Sequence, residues 1–195
     1  QSRLQKLRQK LTEREVDAFF VSRAESRYYL SGFDGSDGFL LITPQNAILA
    51  TDFRYIEQAE RQAPDYQIFR ITNNIADWFP RLVAEFNLSR LGFEAGDITF
   101  ARYQQLSDAL TKTQSRLELV PVDGLVESLR AVKEPQEIEL ITKASAIADS
   151  ALEHIKDIIH IGISELEVAW EIEKFMREQG SQTIPFEIIV ASGPD

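Results

Sequence analysis

The chain contains no cysteine, one methionine and two histidines in 195 residues. The missing thiols exclude disulfides, thiolate metal sites and cysteine nucleophiles at once. The result fits a reducing compartment, and a cytoplasmic protein is expected. No run of lysine or arginine is long enough to make a basic patch, and the formal net charge is -10. A phosphate backbone is repelled by such a surface, so nucleic acid is excluded as the expected partner. No apolar run approaches the length that crosses a bilayer, so no membrane partner is expected. The opening stretch QSRLQKLRQKL carries charges where a secretory leader needs an apolar region, and none is expected from it. No methionine opens the chain, so its start is expected to have been trimmed.

What is present falls into two textures. Leu4, Leu7 and Leu11 recur at helical spacing. Short apolar runs at 18–21, 39–42, 47–50, 67–71, 90–94 and 117–120 predict strands, and 52–62, 74–86 and 99–112 predict helices. Asp52 is the expected N-cap of the first of these helices. Pro80 is expected to kink or restart the second. The runs on either side of Thr43-Pro44-Gln45-Asn46 predict a β-hairpin, which makes the sheet mixed. The alternation predicts an α/β domain over 1–122 and a linker over 123–134.

From Pro135 the pattern changes. Ile138, Ile141, Ile147, Ala148, Ala151, Leu152, Ile155 and Ile159 predict one long helix, ended by Gly162. Ser164 and Glu167 form a capping box before a second helix that stops at Gly180. A strand is expected over 186–193. Two helices and one strand cannot enclose a core, so 135–195 is expected to open a domain whose remainder is missing.

The glycines of SGFDGSDGFLLIT, residues 31–43, follow G-x-x-G-x-x-G and lead into a strand. Neither the dinucleotide fingerprint nor the P-loop has that order, which excludes a phosphate cradle. The remaining readings are a flexible hairpin-feeding loop, or a mobile loop presenting Asp34, Ser36 and Asp37 to a ligand or a neighbouring subunit. His154 and His160 are separated by about 600° of helical rotation and cannot form a metal pair. Glu165, Glu167, Glu171 and Glu173 read as a cap and a solvated face. No serine sits in a nucleophile elbow. No catalytic residue is assigned.

Two stretches carry a family resemblance. YYLSGFDGSDGFLLITPQNAILATDFRYIEQA, residues 28–59, resembles the N-terminal domain of the Xaa-Pro peptidases (prolidase, aminopeptidase P) and creatinase. LRAVKEPQEIELITKASAIADSAL, residues 129–152, with GISELEVAWEIEKFMREQG and FEIIVASGPD, is similar to the start of that family's metallopeptidase domain. The resemblance implies a mixed-sheet, ribonuclease H-like N-terminal α/β domain followed by an incomplete α+β pita-bread domain. It implies hydrolysis of peptide bonds next to proline by a homodimeric enzyme. Two divalent metal ions, manganese or cobalt, are expected in the full-length parent. The family's two Asp, one His and two Glu ligands lie beyond the Ser192-Gly193 turn, so no metal ligand is carried over, and this chain alone is expected to be inactive. Asp195 stands where the family commonly has asparagine, outside that ligand set. The resemblance further implies that Asp34 to Gly38 is a loop walling the partner subunit's active site. Asp34, Ser36, Asp37, Arg54 and Tyr55 are the substrate-binding candidates, with Arg54 also expected in an ion pair. The rival readings are a non-catalytic binding scaffold of the same fold and a creatinase-type amidinohydrolase.

Overall fold

Three strands that are apolar at nearly every position lie inside one sheet: β1 (Ala18–Val21), β2 (Phe39–Ile42) and β3 (Ala47–Thr51). Strands buried on both faces need no polar alternation. The computed structural model describes residues 2–184 and 186–193. It adds β4 (Gln67–Arg70), β5 (Arg90–Glu94) and β6 (Glu118–Val122), in the order β4-β3-β2-β1-β5-β6. Only β2 runs antiparallel to its neighbours, pairing Phe19 with Ile42 on one side and Leu41 with Ile48 on the other. Thr43 closes the expected hairpin, its hydroxyl accepting the Asn46 N–H at 2.8 Å.

The pleat sends alternate side chains to opposite layers. Phe19, Val21, Leu40, Ile42 and Leu49 pack beneath α1 (Arg3–Glu13), whose Leu7 and Leu11 are fully enclosed. Phe20, Leu41, Ile48 and Ala50 pack on the other side, with α4 (Ile75–Ala84) and α5 (Phe100–Lys112). There Phe20 meets Phe79 edge to face, with ring centroids 5.4 Å apart. Pro80 lies inside α4, which runs through it. β6 forms one edge of the sheet. Glu118 donates its N–H to Ser89 and Val122 accepts from Ala95, so Pro121 turns its backbone to the open side.

Several boundaries differ from the sequence reading. A helix, α2 (Ala24–Ser31), follows β1 where none was expected. The helix expected over 52–62 is α3 (Ile56–Gln62), preceded by a turn. Asp52 is therefore not its N-cap; Tyr55 holds that position. The expected linker, 123–134, contains α6 (Leu125–Arg130), because Leu125 and Val126 complete the first core.

The chain divides into two compact units, Gln1–Val132 and Lys133–Asp195. The second contains α7 (Pro135–Ile158) and α8 (Glu165–Glu178). Pro135 starts α7 at the position that tolerates a missing N–H. The helix ends at Ile158, four residues before Gly162, because Ile159 has already turned extended. Ser164 and Glu167 form the expected capping box, their reciprocal backbone bonds measuring 3.3 and 2.9 Å. The strand expected over 186–193 is not formed: these residues join no sheet, and a segment without a ladder is not a strand. Asp195 lies outside the described residues.

Candidate functional site

The end of α2 delivers the chain into the glycine loop. Gly32 caps the helix at φ +77°, the left-handed conformation glycine adopts without penalty. Phe33 then turns into the core, and Gly35 crosses its ring so closely that a Cβ there would lie 2.2 Å from Phe33 Cζ. Gly35 thus supplies room for a tight crossing.

The loop is fastened at several points. Arg27 on α2 donates from Nη1 to the Gly38 carbonyl and from Nη2 to the Gly35 carbonyl, both at 2.6 Å. Thr51, at the end of β3, donates its hydroxyl to the Asp37 carbonyl at 2.8 Å. Asp34 accepts from Gln58 on α3 at 2.6 Å. Ser36 and Tyr55 share a hydroxyl–hydroxyl hydrogen bond of 2.5 Å.

The turn before α3 completes the corner. Asp52 accepts the Arg54 N–H at 2.9 Å and grips the Arg54 guanidinium through Nε and Nη2, the shortest contact being 2.6 Å. This is the ion pair expected for Arg54. That hydrogen bond holds the Asp52 carboxyl below its ordinary value and raises the Arg54 guanidinium. Arg54 Nη2 also lies 3.8 Å from Asp37, both side chains being about half exposed. The Arg54 guanidinium carbon lies 5.3 Å from the centroid of the Tyr55 ring, whose edge meets Phe33. The five candidate residues, Asp34, Ser36, Asp37, Arg54 and Tyr55, therefore gather at one corner, beyond the ends of β2 and β3. Asp37 and Arg54 keep exposed charge there, and Ser36 with Tyr55 places two hydroxyls beside them.

A second polar cluster underlies α2. Glu94, at the end of β5, is 5% exposed and accepts the N–H groups of Ser22 and Arg23 at 2.7 Å each. These are donors at the entrance to α2, which has no side-chain cap of its own. Burial raises the Glu94 carboxyl, while the neighbouring Ser26 hydroxyl favours its charged form without completing a hydrogen bond. Arg23 ties the cluster to α6 through Glu127 at 2.8 Å. Neither Arg27 nor Glu94 was expected from the sequence. The signal that could have found Glu94 is a carboxylate closing the short apolar run of "RLGFE"; Arg27 stands among polar neighbours in "AESRYYLS", which carries no such signal.

His154 stacks on Phe175 with centroids 4.4 Å apart, and Glu171 and Glu173 pair with Lys174 and Arg177. Glu165 accepts from the backbone and hydroxyl of Ser192 at 2.6 and 2.9 Å. Among the described residues no group of three or more His, Cys, Asp or Glu could hold a metal ion. None of their helices is long and apolar enough to cross a membrane.

An α/β layer carrying this loop-and-turn corner, followed by two amphipathic helices, defines a class. Residues 3–132 match the creatinase/prolidase N-terminal domain, and the chain belongs to that family. Residues 139–195 match metallopeptidase family M24. An uncharacterized peptidase of Bacillus subtilis, YqhT, is 37% identical over 98% of this chain and 53% of its own length. The Xaa-Pro dipeptidase from Bacillus anthracis superposes with a TM-score of 0.86 at 38% identity, covering 93% of this chain and 50% of that one. The N-terminal domain of the cytoplasmic peptidase PepQ from Mycobacterium tuberculosis gives 0.60 at 36%, covering 65% and 97%. The chain thus spans about half the length of the first two.

Proposed function

We propose that this chain is the amino-terminal part of a metal-dependent Xaa-Pro peptidase, of dipeptidase or aminopeptidase type. On this reading the protein is a cytoplasmic homodimer acting on small proline-containing peptides, and 1–132 serves dimerisation and walls an active site. The observation that carries the role of the first unit is the corner itself: Asp37 and Arg54 hold half-exposed opposite charges 3.8 Å apart, beside the paired hydroxyls of Ser36 and Tyr55.

The chemistry assigned to these residues is binding and orientation. At 3.8 Å with both groups half exposed, Asp37 and Arg54 form a weak pair that a ligand can displace. The Asp37 carboxylate suits a peptide's ammonium terminus. Arg54 spends Nε and Nη2 on Asp52 and keeps Nη1 for a carboxylate. Asp34, held by Gln58, fixes the start of the loop. The described residues do not fit a metal pair, so no catalytic step is assigned to them. In the family's metallopeptidase domain, divalent metal supplies an activated water and polarises the scissile carbonyl. The metal is expected to be manganese or cobalt.

The test compares the protein carrying this chain together with the rest of a metallopeptidase domain against the 195-residue chain alone, on Ala-Pro and Gly-Pro with added manganese. Turnover is expected only from the longer protein. There, Asp37→Asn and Arg54→Met are expected to raise KM about tenfold or more, the usual consequence of deleting one charged contact. Unchanged KM in both variants would remove the corner from the site.

A further inference from the structure

The corner's geometry depends on a residue that never reaches its surface. Arg27 is 3% exposed, and among the described residues it makes no ion pair. Burial lowers its guanidinium from the ordinary value, and Asp37 is the carboxylate that opposes this most. A cation in that state is retained only where its donors meet good acceptors. Nη1 and Nη2 of Arg27 each meet one, and both acceptors belong to the glycine loop, the carbonyls of Gly38 and Gly35, while its buried Nε has no partner among the described residues. These carbonyls bracket Ser36 and Asp37, the two loop residues that face Tyr55 and Arg54. Phe33 also presses against Gly35, and the Arg27 guanidinium carbon lies 5.7 Å from that ring's centroid.

The guanidinium fork is fixed in turn. It projects from α2, whose entrance is held by Glu94 from a strand 72 residues away in sequence. Ser31, at the far end of the same helix, donates to the Arg27 carbonyl at 2.7 Å.

We propose that Arg27 is a positioning residue: its two-pronged grip on the Gly35 and Gly38 carbonyls sets the place of Ser36 and Asp37 relative to Arg54 and Tyr55. The clamp itself is a property of this chain; its consequence for peptide binding rests on the Xaa-Pro peptidase reading. Lysine cannot replace the fork, because a single ammonium does not span two carbonyls in fixed geometry. Methionine fills much of the same volume without any donor.

The test is amide hydrogen exchange on the 195-residue chain and its Arg27→Met and Arg27→Lys variants. In Arg27→Met, exchange at 34–38 is expected to rise about tenfold or more, while β1, β2 and β5 stay within about twofold. Arg27→Lys is expected to fall between the two. In the longer peptidase, Arg27→Met is expected to raise KM for Ala-Pro about fivefold or more with kcat within about twofold. Unchanged loop exchange in a folded variant overturns the clamp, and so does an equal rise throughout the sheet in both variants. A loosened loop with unchanged KM overturns its role in binding. If the unaltered longer protein does not cleave Xaa-Pro peptides, it is the peptidase reading that fails, and the exchange data still decide the clamp.

Discussion

The two units of this chain use the same raw material to different effect. In the first, β1 is buried along its whole length, and helices cover both faces of the sheet. In the second, α7 runs for 24 residues and buries only Ala151 and Ile155. α8 buries Val168 and leaves Trp170 61% exposed. Both units have apolar residues at helical spacing. A stripe supplies one face of a core, and only an opposing layer turns that face into stability.

The largest effect that would break this contrast is autonomy. Residues 1–132 alone are expected to give one cooperative urea transition, and 133–195 alone to give none. A sharp transition from the second piece would end the comparison. Next come single core positions. Phe79→Ala removes a fully buried ring and is expected to cost about 3–5 kcal/mol, whereas Trp170→Ala is expected to change stability by under about 0.5 kcal/mol. Urea midpoints of the 195-residue variants measure both. Gly35→Ala should cost about 1–3 kcal/mol, since the new methyl must displace the Phe33 ring, and the near-ultraviolet dichroism should shift with it. Ser164→Ala removes the acceptor of the Glu167 N–H and should weaken α8 by about 1 kcal/mol, seen as lost far-ultraviolet helical signal.

The smallest effect is on pH. Asp52 is held below its ordinary value of 3.8, so its contribution is full above that value and is lost as pH falls through the lowered one. A series of urea midpoints taken below about pH 4 should show that loss, and Asp52→Asn should flatten it. Glu94 has the opposite sign: its contribution is full below its ordinary 4.5 and is lost as pH rises through its raised value.

Features whose cause lies nearby in the chain were legible beforehand. The hairpin around Thr43–Asn46, the long α7 and the Ser164 capping box all follow from residues within a few positions of one another. The five residues of the corner were candidates through the family resemblance of residues 28–59, and their side chains meet at one place in the fold. What escaped was set by distant partners. α2 has no local cap, because Glu94 supplies one from β5. α6 is six residues long, too short to show a period, and it exists because Leu125 and Val126 are needed under the sheet. Asp52 satisfied a local capping rule and was taken instead by Arg54, two residues on. The apolar run at 186–193 shows the reverse failure, strand-like composition without a neighbour to bond.

Pro121 has one more effect. A guest strand that aligned itself with β6 would present a carbonyl to a nitrogen bearing no hydrogen. That gap interrupts the ladder midway along the margin, so recruitment of a foreign chain is discouraged there by covalent structure alone, whatever the solvent or the concentration.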